Sequence, residues 1–203
     1  MSYAVHSYNL SLFKLHIAAI IARNLIELST TSVGNMATIY PADHPTMAKQ
    51  PFSLQEYYAS CHANGSLTLV LMPISRHSQN ILKSSNHSAS ISVWSQRPAA
   101  SRARVSLMGS VTVFEDPKSM PERQAIEACY LSKHPDASWW LPDTENGAHL
   151  AYWARFDPHD IYFVGGFGGQ HYIGYIPLQT YQDASPKNIP NLRPAGRILL
   201  EQG

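Results

Sequence analysis

The chain is written as short apolar runs separated by Gly, Pro, Asn and Ser, with two longer runs of helical spacing. The first helical run covers residues 12–28. Ile17, Ile21, Leu25 and Leu28 recur there at helical intervals and predict an amphipathic helix packed through that face. Shorter runs then predict strands over 32–40, 52–58 and 67–72, the last stopped by Pro73. The dipeptide Asn64-Gly65 is a turn signal between the latter two. Residues 75–85 read as a short helix with Ser75 or Ser78 as its N-cap. Residues 88–94 alternate as a strand, and a loop around Pro98 follows. Residues 104–114 form a long strand with Gly109 inside it, which marks a bulge or a close backbone approach. Residues 121–132 have helical periodicity through Ile126, Cys129 and Tyr130. Residues 151–156 and 160–165 read as two paired strands turning at Asp157-Pro158, and 170–177 as one more short strand. The last stretch, 184–203, carries Pro186, Pro190 and Pro194 and reads as an irregular arm on a domain of residues 1–183.

Strand following strand argues against a doubly wound parallel sheet and for a mainly β fold, a barrel with a few peripheral helices. Composition narrows the function classes. The 203 residues carry fifteen basic and fourteen acidic side chains, and 44% are hydrophobic. That is enough apolar material for one core. The balanced charge gives no footprint for nucleic acid, and no run is long enough to span a bilayer. Two cysteines, Cys61 and Cys129, cannot make a disulfide scaffold. They either form one bridge or stay as buried free thiols, with Cys129 on the apolar face of its helix.

Lys14, His16 and Arg23 interrupt the N-terminal apolar run, which is therefore no convincing secretory signal. The expected compartment is the cytoplasm. The alternative is the secretory pathway, because Asn9-Leu10-Ser11, Asn64-Gly65-Ser66 and Asn86-His87-Ser88 are N-glycosylation sequons.

Few motifs carry chemistry. Gly165-Gly166-Phe167-Gly168-Gly169 lacks the spacing of a dinucleotide fingerprint and of a P-loop. It fits a bulged hairpin connection or a turn lining a ligand. The histidines, His77, His87, His134, His149, His159 and His171 among them, have no metal-ligand spacing and are expected in solvated loops. No nucleophile elbow occurs, and no general acid or base can be assigned. Arg76, Arg97, Arg102 and Arg104 flank strand ends. Their guanidinium forks, with the hydroxyls and backbone donors of Ser75 and Ser78, suit a phosphate such as that of a flavin or pyridoxal-type cofactor.

Several segments resemble a known family in collinear order. These are Gly34 with residues 36–39 (MATI), 71–81 (LMPISRHSQNI), 104–109 (RVSLMG), His134-Pro135 with Trp139, 152–156 (YWARF), 161–169 (IYFVGGFGG) and 177–181 (PLQTY). Together they are similar to the FMN-binding split-barrel superfamily, which includes pyridoxamine-phosphate oxidases, and within it most to the CREG glycoproteins. The resemblance implies a six-stranded split β-barrel that forms homodimers with cofactor sites at the subunit interface. It places an FMN phosphate near Ser75, Arg76, His77, Ser78 and Asn80 and near the loop before Arg104, with Arg102. The turn Gly166-Phe167-Gly168 would lie close to the same interface. CREG proteins enter the secretory pathway, whereas this chain shows no clear signal.

Three functions follow as expectations. The chain is a flavin-dependent oxidoreductase acting on a small molecule, a non-catalytic CREG-like module without flavin, or a split barrel recruited to a small-molecule pathway.

Overall fold

The computed structural model describes residues 2–144, 149–169 and 171–186, with side chains from residue 12 onward. Most of the 184–203 arm therefore lies outside the described residues. The elements run α1 (Ser2–Glu27), β1 (Val33–Ile39), β2 (Pro51–Tyr57), β3 (Leu67–Leu71), α2 (Arg76–Lys83), β4 (Ser88–Trp94), β5 (Arg104–Phe114), α3 (Arg123–Lys133), β6 (Tyr152–Val164), β7 (Ile173–Ile176) and α4 (Leu178–Asp183). All strand pairs are antiparallel, in the order β2-β1-β4-β5-β6-β3, with β7 added beside β6. The six strands of that path match the expected count, and β7 is a short seventh. The end strands β2 and β3 do not pair. A single bridge, Ala59 to Thr68, joins the chain leaving β2 to β3. The sheet stays open there, which makes it a split barrel.

Period-two alternation decides which side of the sheet is wet. Along β4, Ala89, Ile91 and Val93 point into the core, while Ser88, Ser90, Ser92 and Trp94 face outward. Along β5, Val105, Leu107 and Val111 are inside and Arg104, Ser106 and Met108 outside. The core collects these inner residues with Met36, Leu67, Leu69, Leu71, Phe156 and Phe163.

The first helix exists, but its buried stripe differs from the expected one. Ala18, Ala19, Ala22 and Ile26 face the core. Ile21 and Leu25 are only partly buried against it, and Leu28 is half exposed. Alanines let the helix axis come close to the sheet, so the small residues take the contact side and the longer ones flank it. Arg23, which interrupts the apolar run, is also buried. Its Nη1 donates to the carbonyls of Tyr181 (3.2 Å) and Gln182 (3.1 Å), its Nη2 donates to that of Ala63 (2.8 Å), and its Nε pairs with Glu27. One guanidinium thus ties α1 to α4 and to the turn at Asn64-Gly65. Gly65 has φ +82°, and a Cβ there would lie 2.6 Å from the Tyr181 ring.

The expected hairpin at Asp157-Pro158 is absent. β6 runs unbroken through both residues, because Pro158 is accommodated at a bulge. Met108 pairs with Asp160 and Gly109 with Pro158, which leaves His159 as the extra residue on β6. Gly109 marks the close approach: a Cβ on it would meet the Asp157 carbonyl oxygen at 2.2 Å.

The free-thiol alternative is also overturned. Cys61 and Cys129 form a disulfide across 68 residues. It ties the β2–β3 connection to α3, beside a second small core of Ala59, Met120, Ile126, Tyr130, Ala137, Leu141 and Trp153. Cys129 is therefore a covalent tie rather than inert packing.

Candidate functional site

The residues expected to bind a cofactor fall into two groups. The first surrounds the start of α2. Ser75 is the N-cap, and its Oγ accepts from Ser78 N–H at 3.2 Å and pairs with the Ser78 hydroxyl at 2.8 Å. Further along the helix, His77 and Asn80 turn inward. The expectation of solvated loop histidines fails for His77, as it does for His134, because both are buried and bonded. Asn80 Nδ2 donates to Thr38 Oγ1 at 3.0 Å, and the Thr38 hydroxyl lies 3.1 Å from His77 Nδ1. His77 Nε2 sits 3.3 Å from the Leu54 carbonyl, an acceptor only, so that nitrogen carries the proton. The Thr38 hydroxyl then donates to Nδ1. Burial lowers the pKa of His77, against the smaller upward pull of the Leu54 bond, and favours this neutral form. The network pins α2 to β1 and β2.

What α2 presents outward is Ser75, Arg76 and the backbone donors of its first turn. The Arg76 guanidinium lies 5.1 Å from the Tyr40 ring centroid. It makes no ion pair with any described residue.

The second group sits at the far end of the same sheet. Arg104 opens β5, and its Nη1 donates to the carbonyls of Ala100 and Arg102, both at 3.3 Å. Arg102 and Arg104 line a groove of about 360 Å³ with Trp94 and Pro98. The glycine turn joins β6 to β7, as the hairpin alternative had it. Gly166 has φ +143°, and a Cβ on it would come within 2.8 Å of the Ser101 carbonyl oxygen. Phe167 is exposed, and a Cβ on Gly168 would meet Ile173 at 3.4 Å. Neither arginine has a carboxylate partner among the described residues.

Arg76 therefore does not cluster with Arg102 and Arg104 within the chain. Trp94 pairs with Arg104 at one end of the β4–β5 ladder and Ser88 with Ser110 at the other. Six residues of strand separate the ends, about 20 Å. Between them the outer face of the sheet carries small or flexible side chains. A groove of about 270 Å³ is lined there by Ala37, Thr38, Ser90, Met108 and His159. Thr38 belongs both to this groove and to the network under α2. Tyr40 and Thr38, which link Arg76 to the groove, were not singled out from the sequence, because only the β1–α2 packing assigns them that place. No group of His, Cys, Asp and Glu suited to a metal occurs among the described residues. None of the described helices is long and apolar enough to cross a membrane.

A sequence profile described as "CREG, beta-barrel" matches residues 14–183. A search of curated protein sequences returns no match. Among solved structures, the heme binding protein from Mycobacterium smegmatis superposes with a TM-score of 0.64 at 20% identity, over 83% of this chain and 61% of that one. A protein of unknown function from Agrobacterium tumefaciens strain C58 gives 0.56 at 16% identity, over 74% and 57%. A pyridoxamine 5'-phosphate oxidase-related, FMN binding protein from Nostoc punctiforme PCC 73102 gives 0.45 at 13%, over 72% and 80%. The chain spans about three fifths of the first of these. At such identities the likeness to the first two is one of fold.

Proposed function

The chain belongs to the CREG β-barrel family, and we propose that it is a homodimeric FMN-binding split barrel acting as an oxidoreductase on a small molecule. The observation that carries this reading is the set of three guanidiniums, Arg76, Arg102 and Arg104, without ion-pair partners among the described residues, at the two ends of one sheet face. Unpaired guanidiniums beside hydroxyl and backbone donors suit a phosphate.

A two-fold axis across β4 and β5 reverses the strand direction between copies. It would lay the Arg104 end of one protomer over the α2 end of its partner. Ser75, Arg76 and Ser78 of one subunit, with Arg102 and Arg104 of the other, would then hold one phosphate. His77 and Asn80 position that helix from beneath. Gly166, Phe167 and Gly168 would close the site beside Arg102. The low wall of Ala37, Ser90 and Met108 suits a planar ring. His159, 2.9 Å from Asp160, would stand beside the ring on that wall. A bound flavin supplies the redox chemistry; the protein binds, orients and shields it.

The test is FMN binding by wild type, Arg76→Ala and Arg104→Ala, followed by mixing of the two variants. Each variant is expected to bind about tenfold or more weakly, since a charge-assisted bond contributes about 1.5–3 kcal/mol. The mixed dimer regains one intact site in two. Unchanged affinity in both variants would refute the phosphate assignment.

A second reading, the non-catalytic CREG-like module made in the secretory pathway, is favoured by the Cys61–Cys129 disulfide, since such bonds persist in oxidising compartments. Two sequon asparagines support it. Asn64 and Asn86 are exposed, and their Oδ1 atoms accept local bonds while no described residue bonds Nδ2. Expression in a secretory host followed by glycosidase treatment separates the readings: a mobility shift lost in Asn64→Gln/Asn86→Gln supports the module, and no shift opposes it.

A further inference from the structure

A third groove, of about 490 Å³, opens between the end of α1, the start of β1 and the end of β4. It shares Trp94 with the arginine-lined groove but has the opposite chemistry, since none of its lining side chains is ionisable. Its volume lies within the ~300–1,000 Å³ of ordinary ligand pockets. Its polar wall consists of amides and hydroxyls, among them Asn24, Thr30, Thr31, Gln55 and Gln96. Such groups can donate and accept at once. The Gln96 amide donates to the Thr30 hydroxyl at 3.0 Å, which ties one side of the rim together. Among the described residues the side chains of Thr31 and Gln55 make no hydrogen bond. The floor is apolar. Trp94 is 40% exposed and Leu28 51% exposed, so flat hydrocarbon and an indole ring face the groove.

We infer that this groove binds a neutral oligosaccharide. A sugar ring presents hydroxyls that both donate and accept along its edge, and an apolar C–H face above and below. Amides and hydroxyls around an exposed indole match both surfaces, because the indole is a large apolar plate with one polar edge. A nucleotide or an acidic peptide would need a cation here, and the groove has none. The inference does not rest on flavin binding, because no arginine of the proposed phosphate site takes part; Trp94 lines both grooves, whereas Gln55 lines this one and not the arginine-lined one.

The test titrates the purified chain with maltotriose, cellotriose and triacetylchitotriose, following the Trp94 indole resonance by NMR. The first two represent glucans, the third an amino-sugar glycan such as a glycoprotein core, so their ranking identifies the source. At least one probe is expected to shift that resonance saturably in the millimolar range. Trp94→Ala and Gln55→Ala should each weaken binding at least fivefold, while Trp139→Ala, at an exposed indole elsewhere, leaves it unchanged. Calorimetry on Trp94→Ala replaces the lost signal, and Gln55→Ala keeps the indole probe. The inference is overturned if no probe moves Trp94, or if both groove variants bind like wild type.

Discussion

Cys61, in the connection from β2 to β3, is bonded covalently to Cys129 in α3. The bond joins elements 68 residues apart and borders the smaller of the two cores. Closing a loop of that length stabilises chiefly by restricting the unfolded chain, by about 4 kcal/mol. Cys61→Ser/Cys129→Ser is expected to lose that amount in urea unfolding. Hydrogen exchange should rise first in α3 and around Tyr130. A double variant as stable as wild type would show that the tie contributes nothing to folding.

Arg23 is the most consequential charge in the fold. It is buried, and its bonds hold α1, α4 and the Asn64-Gly65 turn together. Arg23→Met removes those bonds and leaves Glu27, whose carboxyl burial already pushes up, without its partner. A broken buried pair costs about 3–5 kcal/mol. Thermal unfolding should show a loss of that size, and Arg23→Met/Glu27→Leu should recover part of it. Equal loss in the single and double variants would place the effect in the carbonyl bonds alone.

Gly109 and Gly169 form a contrasting pair. A Cβ at Gly109 collides with the Asp157 backbone, whereas one at Gly169 meets none of the described residues within 4 Å. Gly109→Ala must push β5 from β6 beside the bulge, and overpacking of this kind costs about 1–3 kcal/mol or more. Gly169→Ala is expected to stay within about 0.5 kcal/mol of wild type. Comparable stability of the two variants, by chemical denaturation, would contradict the register described for β5 and β6.

The buried imidazole of His77 makes stability depend on pH. Its folded pKa lies below the ordinary 6.5 because of burial. The unfolded chain therefore takes up a proton near pH 6.5 that the native state refuses. This contribution is fully present above 6.5 and declines as pH falls toward the folded value. His62 acts in the same sense, while the raised carboxyls of Glu27 and Glu56 act oppositely at lower pH. The clean readout is the difference between His77→Gln and wild type: melting temperatures between pH 7 and pH 5 should fall less in the variant. Parallel curves would mean that His77 is not held neutral.

Much of this architecture was legible from local pattern. Alternation located β4 and β5, Asn64-Gly65 marked its turn, and Gly109 announced a close approach before its neighbour was known. What failed depended on long-range packing. Pro158 reads as a breaker until pairing with β5 takes it up beside a bulge at His159. The stripe Ile17, Ile21, Leu25 suggests a contact face until the alanines are seen to permit a closer one. His77 reads as a loop histidine until Thr38 and Leu54 give it partners. The candidate site was visible as residue types, whereas its division into two ends of one sheet required the strand register.

The central claim, flavin binding at a site shared by two copies, is tested most directly by equilibrium titration of the purified wild-type chain with FMN, following flavin fluorescence and absorbance, with its mass in solution measured alongside. The expected result is a saturable spectral change approaching one FMN per chain in a species of twice the chain mass. A folded dimer that leaves the FMN spectrum unchanged at saturating concentration would contradict it.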